Sequence, residues 1–188
     1  MPFFNRAAAF FCALALAGCA SLPPPEPPPR PATANSPFEL NGRFAVRFGE
    51  EGGSGRILWQ HSPQADDLLI LSPIGSGLAR IVRKDGLYTL TTSDNVTTSE
   101  RDPEILTERA LGWRLPLMGL PYWLRGRPDP ATAAETQLDA RDRLTELKQA
   151  GWTIDYLSYH ADNGLPERMR VRRDKLDLRL VLEEWKGR

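Results

Sequence analysis

The chain contains few of the residues that bind metals or form disulfides. Its 188 residues include two cysteines, Cys12 and Cys19, and two histidines, His61 and His160. A structural zinc site takes about four cysteine or histidine ligands, so this sparse set spread along the chain does not predict one. We therefore expect no metal and no cofactor.

An excess of charge of either sign is also absent. The sequence has 24 basic and 24 acidic residues, which gives a formal net charge of zero. This composition provides no net basic field for nucleic acid or anionic lipid, so nucleic acid is not an expected partner. Some arginines near the C-terminus could form an anion site, but a solvated outer strand face is the favoured interpretation: Arg168, Arg170, Arg172 and Arg173.

Motifs typical of hydrolytic enzymes are missing as well. No Gly-x-Ser-x-Gly segment occurs in the sequence, so a lipase-like nucleophile has no local support. Neighbouring residues of a strand point to opposite faces, so adjacent acids do not share a site. We expect these pairs to be solvated surface groups: Glu50-Glu51, Asp66-Asp67 and Glu183-Glu184. The chain is not expected to be an enzyme.

The N-terminus carries a short apolar segment that ends in a cysteine. Arg6 supplies a positive charge, and residues 7–17 form an apolar run too short to span a bilayer. The tetrapeptide Leu16-Ala17-Gly18-Cys19 resembles a bacterial lipobox, in which the cysteine is acylated and becomes the first mature residue. A plain secretory signal with a chance cysteine is the alternative. We expect acylation at Cys19, which would leave no thiol free to form a disulfide.

The residues after Cys19 predict a destination and a domain organisation. Ala20 and Ser21 follow it, and neither is the aspartate that usually retains such lipoproteins in the inner membrane. We therefore expect a lipid-anchored protein of the outer membrane, facing the periplasm of a Gram-negative bacterium. Prolines crowd residues 23–31 and predict a stiff polyproline II spacer. The expected segments are a signal peptide over 1–18, an acylated N-terminus and spacer over 19–37, and one domain over 38–188.

Apolar and polar residues alternate along much of this domain. Apolar residues occupy the even positions from Phe38 to Phe48 and from Leu176 to Leu182, which is typical of strands with one buried face. The glycine-rich segment 50–55 predicts a hairpin turn before a second strand that starts near Ile57, and not a phosphate-binding loop. Further strands are predicted at 67–71, 78–83, 87–92, 96–99, 144–148, 152–159, 167–172 and 175–184.

One stretch between these strands has helical signals. Asp102 followed by Pro103 and Glu104 predicts a capped helix start, and Gly112 predicts its end. A second short helix is predicted over 120–125. Strands, a helical insert and strands again predict a mainly β (α+β) fold: an unclosed antiparallel β-barrel of about ten or eleven strands with a short helical lid.

The domain is also rich in aromatic residues. Core packing is the simpler explanation for most of them, but a curled sheet with short helices across its mouth tends to enclose a hydrophobic cavity. Such a cavity could hold acyl chains. The residues predicted to line it or to form its lid are Trp59, Tyr88, Trp113, Tyr122, Trp123, Tyr156 and Leu178.

Three parts of the domain together carry a resemblance to a known family: GRFAV at 42–46 with GRILWQH at 55–61, LILSPIGS at 69–76, and GWRLPL at 112–117 with YWLRGRP at 122–128. They resemble the opening hairpin, the third strand with a protruding loop, and the helical insert of the LolB family of outer-membrane lipoprotein receptors. The helical insert is the most specific of the three. Together they span nearly the whole domain, from Phe38 to Trp185.

The resemblance implies a lipid carrier with a helical lid over a hydrophobic cavity. Its implied partners are a LolA-type periplasmic carrier loaded with lipoprotein, the acyl chains of client lipoproteins, and the inner leaflet of the outer membrane. It implies delivery into that membrane without nucleotide hydrolysis, and we expect a monomer. In the family a bulky aliphatic residue tips the protruding loop and contacts the bilayer, and here that position is Ile74.

Two other classes of protein are alternatives. A structural envelope lipoprotein would bind protein partners through its sheet without carrying lipid, and would have a filled core with no acyl-sized cavity. A periplasmic lipid hydrolase would need a convergent nucleophile and base, which the sequence does not provide.

Overall fold

The computed structural model of the chain describes residues 36–187. The predicted signal peptide, Cys19 and nearly all of the spacer lie outside these residues. The predicted domain over 38–188 lies almost wholly within them.

The described residues form one antiparallel sheet of eleven strands. Its spatial order is β6-β5-β4-β3-β2-β1-β11-β10-β9-β8-β7, so two meanders meet where β1 pairs with β11. This arrangement confirms the predicted fold class. The strands are β1 Phe38–Phe48, β2 Glu51–His61, β3 Ala65–Leu71, β4 Gly77–Lys84, β5 Leu87–Thr92, β6 Thr97–Glu100, β7 Ala134–Leu138, β8 Leu144–Gln149, β9 Trp152–Tyr159, β10 Pro166–Arg173 and β11 Leu176–Lys186.

The edge strands β6 and β7 do not pair with each other, and the chain between them forms the helical insert, residues 101–133. This insert contains α1 Pro103–Leu111 and α2 Leu120–Trp123. Most of its apolar side chains, such as those of Leu106, Leu120 and Trp123, are buried against the sheet. The insert is therefore the predicted lid of the unclosed barrel.

The first helix has the predicted ends. The Asp102 carboxylate accepts hydrogen bonds from the backbone N–H groups of Glu104, at 2.8 Å, and Ile105, at 3.3 Å. At the other end Gly112 adopts a left-handed conformation with φ of 83°, which glycine tolerates best, and its N–H donates to the Glu108 carbonyl. These two caps satisfy backbone groups that a helix leaves unpaired.

The buried face of β11 follows the predicted alternation. Leu176, Leu178, Leu180 and Leu182 are all buried, and Arg179 between them is exposed. The same period holds across the neighbouring strands, so one face of the sheet builds the core beneath the helical insert.

The predicted turn over 50–55 is wrong. Strand β2 begins at Glu51, and the hairpin turn is the shorter Gly49-Glu50, with Phe48 paired to Glu51. The glycines belong to the strand because the Phe44 ring lies over Gly55. A Cβ atom there would lie 2.9 Å from that ring and 2.0 Å from the Leu71 carbonyl oxygen. Gly55 therefore permits close packing within the strand rather than a turn.

Strand β7 was not predicted. All five of its side chains are exposed, because it is an edge strand that packs against no other layer. Without a buried face it has no apolar alternation for sequence reasoning to detect. The helix α2 is also shorter than the predicted 120–125, since Leu124 to Gly126 continue it as turns.

Candidate functional site

A small apolar cavity lies between the centre of the sheet and the helical insert. Strands β1, β2, β3 and β11 form one wall, and the chain from Trp113 to Leu124 forms the other. Its volume is about 40 Å³. The lining residues are Phe44, Ile57, Trp59, Leu68, Ile70, Trp113, Leu115, Leu117, Leu120, Leu124, Leu178 and Leu180.

The cavity is too small for an acyl chain in this closed arrangement. For comparison, a cavity of about 150 Å³ binds benzene, and pockets for drug-sized ligands have volumes of about 300–1,000 Å³. An acyl chain therefore fits only if part of the insert moves away from the sheet. Leu115 and Leu117 lie in the link between the two helices, so displacement of that link would enlarge the cavity most directly.

Three of the predicted cavity residues line this space. They are Trp59 on β2, Trp113 after α1 and Leu178 on β11. Tyr88 is buried on β5, opposite Arg83 of β4, and is not among the lining residues. Tyr122 is half-buried on α2 and packs against the core.

The remaining two, Trp123 and Tyr156, fix α2 to the sheet. The indole Nε1 of Trp123 donates to Gln149 Oε1 at 2.8 Å, and the Tyr156 hydroxyl donates to the Trp123 carbonyl at 3.0 Å. Burial raises the pKa of Tyr156, so its hydroxyl keeps its proton and remains a donor. Gln149 also donates to the carbonyls of Asp129 and Thr132, at 2.8 Å each. This half of the insert is held by buried hydrogen bonds.

The other half of the insert buries Leu106 of α1 in the core and adds contacts nearer the surface. Glu104 of α1 accepts from Trp152 Nε1 at 3.2 Å and pairs with Arg173 Nη1 at 3.0 Å. The Arg173 guanidinium also lies 4.7 Å from the centre of the Trp152 ring. We call Glu104, Trp152 and Arg173 the α1 latch. Sequence reasoning missed it, and also missed Gln149, because single polar residues carry no periodic signal.

The prediction that Asp66 is a solvated surface acid is wrong. Its residue exposure is only 7%, and it faces the interior beside His61, Trp59 and Arg83. It accepts from Trp59 Nε1 at 3.0 Å, lies 2.6 Å from His61 Nδ1, and forms an ion pair with Arg83. Asp67, the next residue, points outward to Arg80, so the two acids do lie on opposite faces.

These four residues form a buried polar cluster at one end of the cavity wall. Burial alone would raise the pKa of Asp66, but hydrogen bonds from His61, Arg83 and Trp59 outweigh it and hold the pKa below its usual 3.8. The cluster satisfies the indole N–H of Trp59, which leaves the apolar ring of that residue to line the cavity.

Ile74 lies at the tip of the loop between β3 and β4 and is 90% exposed. The loop is ordered by its own hydrogen bonds. Ser72 N–H donates to the Ser76 carbonyl at 2.8 Å, and Gly75 N–H donates to the Ser72 carbonyl at 2.9 Å. Ser76 N–H donates to Ser72 Oγ at 3.1 Å. The turn therefore presents an aliphatic side chain to solvent on a rigid support. We call residues 72–76 the Ile74 loop.

Within residues 36–187, no group of three or more His, Cys, Asp or Glu side chains is placed to hold a metal ion. In the same part of the chain, neither helix has the length and hydropathy that crossing a bilayer requires.

The fold class of this domain is a curled antiparallel sheet with a helical insert over an apolar cavity. The solved structure of a LolA superfamily protein from Nitrosomonas europaea shares this fold with a TM-score of 0.50, covering 82% of this chain and 87% of that one. The two sequences are 12% identical, so the likeness concerns the fold alone.

Sequence comparisons identify the family within this class. The family described as "Outer membrane lipoprotein LolB" matches residues 36–185. A protein named outer-membrane lipoprotein LolB from Thiobacillus denitrificans is 40% identical over 175 residues, which cover 93% of this chain and 94% of the relative. Another of that name from Nitrosomonas europaea is 38% identical, covering 82% of this chain and 74% of the relative. The chain belongs to the LolB family.

Proposed function

We propose that this chain is an outer-membrane lipoprotein receptor that takes lipoproteins from a LolA-type periplasmic carrier and inserts them into the outer membrane. The observation that carries the proposal is the apolar cavity beneath the helical insert in a chain of the LolB family. The receptor acts as a monomer, delivers its cargo to the inner leaflet, and uses no catalytic step.

The physical task requires a shielded apolar site. Exposing acyl chains to water costs about 25 cal/mol for each Å² of apolar surface, so a cargo must pass from one enclosed site to the next. The cavity lining supplies leucine, isoleucine, phenylalanine and tryptophan side chains. Opening the insert would expose these same side chains, and an incoming acyl chain would then replace the insert as their packing partner.

The alternative of a structural envelope lipoprotein predicts a filled core, and the closed cavity is indeed too small to hold an acyl chain. Family membership favours the receptor nonetheless. The insert also supports the receptor. Its α2 half is fixed to the sheet by buried hydrogen bonds, whereas the α1 latch and the ion pair of Arg109 with Glu100, which hold its α1 half, are more superficial. We infer that α1, together with its buried Leu106, is the part of the lid that moves while α2 stays attached.

Transfer without an energy source requires that the affinity for acyl chains increases from the carrier to the receptor and from the receptor to the bilayer. The receptor must bind the acyl chains more tightly than the carrier does, and the bilayer must bind them more tightly still. A tenfold preference at each step corresponds to about 1.4 kcal/mol. A few additional apolar contacts in the cavity supply that much.

The anchor of the receptor is the acylated Cys19, after removal of residues 1–18. Residues 19–37 then tether the domain over 38–188 to the membrane. Two or more acyl chains give near-permanent attachment, because each buried methylene contributes about 0.8 kcal/mol. The variant Cys19→Ala should take up no radiolabelled palmitate while its domain folds normally, and incorporation of label into that variant would contradict the assignment.

The Ile74 loop is the part of the receptor that enters the bilayer during release. Replacing Ile74 with glutamate should leave stability and uptake of cargo unchanged, since the side chain contacts solvent. Release into liposomes should fail, because placing a carboxylate in hydrocarbon costs several kcal/mol. Both steps can be measured with a purified carrier–lipoprotein complex and liposomes.

The matched control is Leu87→Glu. Leu87 is also an exposed aliphatic residue, but it follows the β4–β5 turn at the opposite end of the strands. The Leu87→Glu variant should release cargo into liposomes like the unmodified chain. Normal release by the Ile74 variant, or loss of uptake together with release, would remove the loop from the mechanism.

A further inference from the structure

A groove rich in arginine crosses the outer face of the sheet beside the Ile74 loop. Its volume is about 850 Å³, and Pro73 of the loop borders it. The arginines come from four strands of two hairpins, β1–β2 and β10–β11, that lie far apart in the sequence. They are Arg43 on β1, Arg56 on β2, Arg168 on β10 and Arg179 on β11.

The strand register aligns three of these arginines in one row. Arg43 lies directly opposite Arg56 on one side and opposite Val181 on the other, and Val181 in turn lies opposite Arg168. Like charges in directly opposed positions destabilise a sheet. The arrangement therefore has a cost for folding that a binding role would explain.

Few acids offset this charge. Glu183 forms an ion pair with Arg43 at 2.6 Å, and Asp177 lies 3.7 Å from Arg179 while it also binds Arg170. Arg56 contacts only the neutral Asn41, at 3.5 Å, and neither Arg56 nor Arg168 has an acidic partner among residues 36–187. The side chains of Arg43 and Arg179 are each 62% exposed. The groove is thus locally basic although the chain carries no net charge.

The groove is continuous with the loop that the proposed function places in the membrane. Arg56 pairs with Leu71, the last residue of β3, and the Ile74 loop starts at the next residue. The headgroup layer of a bilayer is only about 5–8 Å thick on each side of the hydrocarbon core. A loop that reaches the hydrocarbon with Ile74 therefore brings the adjacent arginines to the level of the lipid phosphates.

We propose that this arginine groove binds the phosphate groups of anionic phospholipids in the bilayer that the Ile74 loop enters. Guanidinium groups donate paired hydrogen bonds to phosphate oxygens, and an arginine keeps its charge at any physiological pH. The groove orients the domain on the membrane so that the loop points inward. The inference rests on the proposed function, because it takes the loop as the membrane contact.

The test uses the mature chain with Cys19→Ala, so that acyl anchoring does not mask weaker binding. Binding is measured by co-sedimentation with vesicles of phosphatidylethanolamine alone and with vesicles that also contain about a quarter phosphatidylglycerol. The variant is Arg56→Gln with Arg168→Gln, since loss of these two residues breaks no ion pair. Binding to the anionic vesicles should fall roughly 10- to 30-fold, and binding to the neutral vesicles should not change.

The matched control is Arg101→Gln with Arg141→Gln, which removes the same charge from exposed sites outside the groove. It should bind both vesicles like the parent chain. A second variant, Arg56→Lys with Arg168→Lys, keeps the charge but removes the paired donors of the guanidinium, so it should bind the anionic vesicles more tightly than the glutamine pair and less tightly than the parent chain. Inorganic phosphate at millimolar concentration should compete weakly, because it lacks the multivalency of a membrane surface.

Several results would overturn the inference. An equal loss of vesicle binding in the groove variant and in the Arg101→Gln, Arg141→Gln control would show that the effect depends only on the total charge. Unchanged vesicle binding by the groove variant would show that the groove has no role in binding. Normal vesicle binding with impaired uptake from the carrier would assign the groove to an acidic protein partner. Failure of the proposed function is distinguishable, because Ile74→Glu would then release cargo normally, whatever the arginine variants do.

Discussion

Replacing Glu104 with glutamine should weaken the α1 latch and increase the rate at which apolar ligands enter the cavity. The carboxylate accepts a hydrogen bond from Trp152 and forms an ion pair with Arg173. Glutamine keeps an acceptor for the indole but removes the charge. If α1 moves away from β9 and β10 on opening, the ion pair stabilises only the closed arrangement.

The size of the effect follows from the exposure of this pair. The two side chains are 26% and 21% exposed, between a fully exposed pair worth about 0–1 kcal/mol and a buried charged hydrogen bond worth about 1.5–3 kcal/mol. A loss of about 1–2 kcal/mol raises the open population roughly 5- to 30-fold.

Stopped-flow binding of a fluorescent fatty acid measures this effect, provided that the rate at saturating ligand reports opening. Glu104→Gln should accelerate it by about tenfold. Glu108→Gln is the matched control, because Glu108 pairs with Arg114 and both residues belong to the insert. The ion pair of Glu108 with Arg114 lies within the insert and does not connect it to the sheet, so its loss should not change the rate of ligand binding.

Arg173→Gln should reproduce the effect of Glu104→Gln, and the double variant should add little, because both remove the same interaction. If Glu104→Gln left the rate unchanged, or if Glu108→Gln increased it equally, the α1 latch would not control access to the cavity.

Three further predictions concern the residues that build the site. Asp66→Asn should lower the free energy of unfolding by about 3–5 kcal/mol at neutral pH, because it leaves Arg83 and His61 buried beside an uncharged partner. The pKa of Asp66 is lower in the folded than in the unfolded chain, so the difference in free energy of unfolding between the two proteins should be full above about pH 4 and should disappear as the pH falls through the folded pKa. Urea unfolding at several pH values measures this difference. A difference that does not change with pH would show that the charge of Asp66 does not stabilise the polar cluster. Gly55→Ala should destabilise the domain by about 1–3 kcal/mol because its Cβ would meet Leu71 and Phe44, whereas Gly53→Ala meets nothing within 4 Å and should be neutral or slightly stabilising; equal thermal midpoints for both would refute this. Burial raises the pKa of Tyr159 to about 12. The ultraviolet titration curve of the parent chain minus that of the Tyr159→Phe variant should therefore show one tyrosine that ionises well above pH 10, and ionisation near pH 10 would contradict the burial of Tyr159.

Alternation and capping made most of the fold predictable from the sequence. The leucines of β11 and the even-numbered residues of β1 from Phe38 to Val46 defined buried or half-buried faces, and Asp102 with Gly112 defined both ends of α1. Most other predicted strands end within about two residues of the observed ones. Local chemistry sufficed in these places because each strand or helix has one buried side.

The errors arose where tertiary contacts override local signals. The glycines of β2 were assigned to a turn because the Phe44 ring that requires Gly55 comes from another strand. Asp66 was assigned to the surface because its buried partners become neighbours only through the pairing of β2, β3 and β4. Likewise, net charge gave no hint of the arginine groove, since its members meet only when β1 pairs with β11.

The central claim is that acyl chains of a lipoprotein enter the space beneath the helical insert. The most direct measurement uses a cargo lipoprotein whose acyl chain carries a photoreactive diazirine. The cargo is loaded on the carrier, mixed with the receptor domain and irradiated, and labelled peptides are mapped by mass spectrometry. Label should appear on inward-facing residues such as Leu178 and Leu117, and not on the neighbouring outward-facing Arg179. Label confined to the outer face of the sheet, or transfer of cargo without any label in the cavity, would contradict the account.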